Sequence, residues 1–458
     1  MNRIRSAARY RRVTVRVTAL MMIAGFGAVT NPAQALPSYA RQTGLPCAMC
    51  HTGLPELTPF GREFKLNGYV QGGGDESGLP PIAAMVQAGF THTDGDQPGA
   101  NQHFGPNDNL EVDQASLFYG GAIWSDQGLG AFIQATYDGV ARQFHWDNTD
   151  IRLAKQATLF GSDLTYGFTL NNNPSVQDVW NTTPAWRYPY FNSFLGPGPG
   201  ASALIDGGLG QQVAGLGGYV WWNHLVYAEI SGYRNLSFST DRTLGIPGNG
   251  STSFSGVAPY WRFAVQPSWG SNSLELGTFG MYAEINPGRV TSNGTDKITD
   301  IGFDAQYQYD DDPHAIGVQI SQIREFQNLH ASFSLGNSAN NHDILDTFRT
   351  KASYFYDHTY GINVSYFNIS GTTDMNLYGV LNGGFANNGN PNSDGWIFEV
   401  NYLPFSNGGP DWWPWLNMRF GLQYTLYNQF DGGTTNFDGA GHNADQNNTL
   451  YLYMLTAF

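Results

Sequence analysis

Apolar and polar residues alternate with period two from about residue 80 to the last residue, the pattern of strands with one apolar face. In DLTYGFTLN, Leu164, Tyr166, Phe168 and Leu170 fall on one side, and Asp163, Thr165, Gly167, Thr169 and Asn171 on the other. DIGFDAQYQYD sets Ile301, Phe303, Ala305, Tyr307 and Tyr309 against Gly302, Asp304, Gln306 and Gln308. GWIFEVNYLP and RFGLQYTLYN repeat the alternation, and segments such as NPGRVTSNGTD and GGFANNGNPNSDG punctuate it with turn residues. After the N-terminal region no run of ~18 apolar residues occurs, which excludes helical membrane spans.

The residues opposite the apolar face decide the class. A soluble sandwich would fill that face with Lys and Glu, whereas here it is mostly Gly, Ser, Thr, Asn and Gln. Charged residues are only 13% of the chain, against ~25% in ordinary soluble domains. Uncharged polar residues facing a wet lumen and tyrosine-rich faces toward lipid predict a transmembrane barrel of the outer membrane. Closure leaves no backbone group unpaired in hydrocarbon. The last strand, LYLYMLTAF, ends on Phe458 and resembles the C-terminal signal of bacterial outer-membrane barrels. The expected fold is therefore all-β, with about 16 antiparallel strands at ~10 residues each. Its boundaries are a barrel over residues 79–458 and a separate segment over 36–78.

Residues 1–35 read as a secretory signal: six arginines, the apolar run Val17 to Val29, then Ala33-Gln34-Ala35. The run is about 13 residues, short of the ~20 needed for a spanning helix. Cleavage would remove those arginines and no acids, moving the formal charge from −15 to about −21. Such acidity speaks against nucleic acid or anionic lipid as a partner and for attraction of cations.

The candidate chemistry lies just beyond this signal, where Cys47-Ala48-Met49-Cys50-His51 contains both cysteines of the chain. The spacing matches covalent attachment of one haem c, in which two thioethers bond the porphyrin and the histidine becomes the proximal iron ligand. A thioredoxin-like dithiol would need a strand-and-helix domain for which residues 36–78 leave no room. About 40 residues are too few to enclose a large apolar cofactor, so the segment is expected to sit in or against the lumen as a plug. After His51 no His or Met occurs until Met85, which makes Met85 the first candidate distal ligand, followed by His92, His103, Lys65 or water. The Pro- and aromatic-rich stretch Asn171 to Gly200 reads equally as an inward constriction or an external loop.

ARQTG, CAMCH and PELTPFGREFKLNGY, followed by a β-rich body ending in Phe, resemble the fused monohaem cytochrome c–porin family of outer-membrane iron oxidases. The resemblance implies an iron:cytochrome c oxidoreductase that takes electrons from extracellular Fe(II) and passes them inward to a periplasmic c-type cytochrome. Cys47, Cys50 and His51 match the family's attachment motif; the resemblance supplies no distal ligand. For iron itself, oxygen and imidazole donors occur together in YDDDPH (Asp310, Asp311, Asp312, His314) and HDILD (His342, Asp343, Asp346). Two alternatives stay open on the residues alone: a porin or substrate channel with a haem-bearing plug, and electron exchange with a non-iron extracellular partner.

Overall fold

The computed structural model describes residues 36–72, 78–97, 103–246 and 253–458. The signal-peptide reading of residues 1–35 lies outside the described residues. Among the described residues, sixteen strands form the wall. The first eight are β1 (Ile82–Thr93), β2 (Asn109–Trp124), β3 (Leu129–Asp138), β4 (Gln143–Leu159), β5 (Ser162–Asn171), β6 (Val213–Trp222), β7 (Val226–Asn235) and β8 (Ala258–Val265). The second eight are β9 (Asn272–Ile285), β10 (Asp296–Asp311), β11 (His314–Asn328), β12 (His342–Tyr356), β13 (Tyr360–Gly371), β14 (Ser393–Tyr402), β15 (Asn417–Gln429) and β16 (Thr449–Ala457). Each pairs antiparallel with its neighbours in chain order, and β16 closes on β1 in the register Thr449↔Thr93 to Ala457↔Met85.

The alternation places residues as the sequence predicts, with the usual burial inverted. Phe168 (59% exposed), Phe303 (63%) and Leu452 (53%) face outward, while Thr169, Asp304 and Gln306 are buried inside. An outward apolar surface on a closed antiparallel sheet is stable only in a bilayer, so the protein resides in the outer membrane as a β-barrel. Among the described residues no helix is long and apolar enough to cross a membrane.

The two ends of the barrel differ. Connections at one end are mostly tight, such as Asp312-Pro313 and Asp357–Thr359, whereas those at the other run to 41 residues between β5 and β6. Outer-membrane barrels keep short turns in the periplasm and long loops outside. The β5–β6 connection folds inward, burying Val176, Trp180, Trp186, Tyr188, Tyr190 and Phe191. Buried charges clamp it: Arg262 of β8 meets Asp178 of the loop at 3.2 Å, and Arg187 of the loop pairs with Asp206.

The N-terminal segment enters the lumen from the short-turn end. It contains α1 (Pro37–Thr43), α2 (Cys47–Cys50), a two-strand ribbon (His51–Gly53 with Glu56–Leu57) and α3 (Pro59–Leu66). Its anchors lie on the short-turn ends of the strands. The Ala48 N–H donates to Ser406 O at 2.9 Å, and the Arg41 guanidinium donates to Ile82 O at 2.6 Å. Deeper in, the fully buried Arg62 donates to Gln306 and Gln308 of β10 at 2.9 and 2.7 Å and to Ser273 of β9 at 3.1 Å. The Lys351 ammonium of β12 pairs with Glu56.

Candidate functional site

Local sequence builds the Cys-Cys-His turn rigidly. Pro37 opens α1, and Gly44 ends it in the left-handed region at φ 68°, where a side chain would be strained. One helical turn over Cys47–Cys50 sets residues i and i+3 on one face, which brings the two thiols together. His51 then leaves the helix in an extended conformation, φ −135° and ψ 128°. Thr58 caps α3 by accepting from the Gly61 N–H at 3.1 Å, while its hydroxyl donates to Met49 O at 2.7 Å. Gly61 approaches the turn so closely that a Cβ there would lie 2.3 Å from Cys50 O. The TPFG sequence thus positions the turn as well as starting a helix.

Cys47, Cys50 and His51 share a cavity of about 80 Å³. Its walls are apolar: Leu36, Tyr39, Phe64 and Tyr69 from the segment, Phe132 from β3, and Trp186 from the inward loop. Tyr39 stacks on Tyr69 at 5.8 Å and meets the edge of Phe64 at 5.1 Å. Burial pushes both thiols up to about 12, unlike the depressed thiols of dithiol redox centres. Burial also lowers His51 to about 4, the Pro55 carbonyl pulling the other way, so its ring is the neutral base an iron ligand must be. The His51 Nδ1 is buried without a hydrogen bond. Paired thiols, a neutral imidazole and an apolar enclosure fit a haem c.

The other sequence candidates fall elsewhere. Met85 is buried on β1, in the same cluster as Leu36 and Phe64, but is not among the side chains that line the cavity. His92 is half-buried and bonded to Asp108 at 2.7 Å, and His103 is exposed. Lys65 does line the cavity: its ammonium donates to Val176 O and Asp178 O at 2.8 and 2.7 Å and lies 4.5 Å above the Trp186 ring. Burial lowers it to about 7. Sequence reasoning missed Phe132, Asp178, Asn181 and Trp186, which close the cavity from the wall and the loop. The Pro- and aromatic-rich composition of the loop was the available signal for the last three.

The acidic motifs separate as well. In YDDDPH, at the short-turn end, Asp310 and Asp312 face His358 at 3.3 and 3.7 Å, and His314 turns to Tyr354 at 2.8 Å. His358 also bonds Thr52 O at 3.1 Å, linking this turn to the residue after His51. In HDILD, His342 is exposed, Asp343 is buried on the opposite face, and Asp346 pairs with Arg324 at 2.8 Å.

The His358 contact carries a pH dependence. Burial pushes its pKa down, but Asp310, Thr52 O and Asp312 outweigh it and raise the net value. A raised folded pKa contributes stability below the unfolded value near 6.5, lost as pH rises through the folded value. The segment is therefore held more firmly at pH 5.5 than at 8.5. Limited proteolysis of residues 36–72 should show that difference shrinking in His358→Gln; an equal difference in both proteins rules the latch out.

No family model matches the chain, and no curated protein does. Solved structures of similar shape include outer-membrane barrels. The outer membrane channel DcaP of Acinetobacter baumannii is 11% identical with a TM-score of 0.45, over 82% of this chain and 96% of that one. OprB of Pseudomonas putida is 12% identical with a TM-score of 0.43, over 82% and 93%. An anion-selective porin from Comamonas acidovorans is 11% identical with a TM-score of 0.39, over 82% and 98%.

Proposed function

We propose that this barrel is a cytochrome–porin that carries one electron at a time across the outer membrane, from extracellular Fe(II) to a periplasmic c-type cytochrome. The carrying observation is the apolar cavity in which Cys47, Cys50 and His51 converge at the short-turn mouth. Cys47 and Cys50 would hold the haem by thioethers, and His51 would be its proximal ligand. Bound haem supplies a one-electron centre.

The chain's own residues do the rest. Tyr39, Phe64 and Trp186 keep water from the cavity, and low polarity there strengthens the field of the nearby Lys65 ammonium. Met49, between the two cysteines, is 45% exposed, which supports an attachment turn open to a docking periplasmic partner. The inward loop and the N-terminal segment occupy the lumen from opposite ends, which weighs against a solute channel. Oxidation of Fe(II) to Fe(III) at the outer face releases one electron and leaves the ferric product outside.

The test is anaerobic stopped-flow mixing of the purified, haem-matured protein with Fe(II). The reduced α-band should appear in a phase whose rate rises with Fe(II) concentration. Reduction by dithionite but not by Fe(II) would retain the cofactor and remove iron as the donor.

A further inference from the structure

At the outer-loop end of the barrel, away from the cavity, two histidines come together, with Asp296 bonded to the Ala331 N–H beside one and Asp343 adjacent in sequence to the other. His342 begins β12, and its Cα partner across the ladder is Asn328 at the end of β11. His330 begins the short helix His330–Leu335 in the connecting loop, which the Leu329 N–H closes on Asn341 O at 2.7 Å. Their rings meet edge to face, with centroids 5.3 Å apart and planes at 77°. Both residues are exposed to the medium.

We infer that His330 and His342 form a two-imidazole site for a divalent first-row transition cation on the extracellular side. The spacing supports this: one ion held ~2.1 Å from a nitrogen of each ring puts the ring centres roughly 5 Å apart at tetrahedral or octahedral angles. The Asn341 side-chain oxygen lies 3.3 Å from the His330 Nδ1 and so accepts its N–H. A hydrogen bond of that kind orients a ligating imidazole and leaves Nε2 with the lone pair. Imidazole donors select Zn, Ni, Cu and Fe over Mg and Ca, and water completes the coordination. Among the described residues no group of three or more His, Cys, Asp or Glu side chains converges as a metal site, so this site binds by two protein ligands.

The inference does not rest on the haem reading, since Zn(II) and Ni(II) test it without electron transfer. Calorimetric titration of the detergent-solubilised protein with Zn(II) should show a component weakened at least tenfold by either His330→Ala or His342→Ala. Ca(II) should not reproduce that component. Unchanged Zn(II) titrations in both variants, or equal binding of Ca(II), overturn the site. Because a variant can perturb the loop, the wild-type protein provides a second readout. Carbethoxylation of His330 and His342 by diethyl pyrocarbonate, followed by mass spectrometry, should fall when Zn(II) is present and Ca(II) should leave it unaltered; labelling that ignores Zn(II) also overturns the site.

Discussion

The Cys47→Ser, Cys50→Ser double variant should assemble in the outer membrane with no covalently bound pigment, falling from one haem per chain to none. The two thiols are the only cysteines of the chain, and their one-turn separation presents both to the same apolar cavity. A serine hydroxyl keeps the size and the turn but forms no thioether, so cofactor retention would depend on His51 and the apolar walls alone. Acid–acetone extraction, which strips non-covalent haem, followed by haem staining of the separated protein, reads the outcome directly. Wild-type preparations lacking stain after expression with a c-type maturation system would sink the attachment reading. The barrel is expected to persist in the variant, because its strand ladder closes through β16 and β1 without the segment. Heat-modified migration should therefore be unchanged, which separates loss of the cofactor from loss of the fold.

The largest effect on stability is expected at Arg262. Its guanidinium is fully buried and reaches Asp304 at 2.7 Å, Asp178 at 3.2 Å and Glu275 at 3.4 Å, with the Trp180 ring 4.9 Å away. Asp178 and Trp180 belong to the inward loop, whereas Arg262, Glu275 and Asp304 belong to three strands of the wall. One cation therefore ties the loop to the barrel and balances three acids. Arg262→Met keeps the volume and removes the charge, taking away the cation in contact with three buried acids, at a cost of about 3–5 kcal/mol. Urea unfolding in lipid vesicles should show the lowered midpoint, and proteases added from outside should cut within residues 172–212. Arg262→Lys should recover part of the loss, since it restores the charge without the planar fork. A midpoint within about 0.5 kcal/mol of wild type would mean the cluster is satisfied in some other way.

Much of this architecture was legible along the chain. Alternation at Leu164 to Leu170 and at Ile301 to Tyr309 identified lipid-facing positions, because side chains on a strand alternate faces whatever lies beyond them. The uncharged character of the opposite face identified a lumen, and chain length set a strand number near the observed sixteen. The proximity of Cys47, Cys50 and His51 was legible for a related reason: they lie within one helical turn and the residue after it.

Local pattern did not reach the things that depend on closure. Met85 was the first methionine after the motif, yet the register of β1 places it outside the cavity lining. Phe132 and Trp186 complete the cavity from far along the chain, and nothing in a strand or a loop marks which residue will meet a distant helix. Which mouth receives the N-terminal segment followed from pairings such as Ala48 with Ser406 and Arg62 with Gln306, between partners hundreds of residues apart.

By itself, then, the amino-acid order determined a lipid-facing β-wall and a compact Cys-Cys-His turn, since both arise from spacing within a few residues. Only the closed tertiary structure decided what encloses that motif, at which end it sits, and that His330 meets His342. Those outcomes depend on ring closure and on buried partners chosen across the lumen, and no short stretch of chain encodes them.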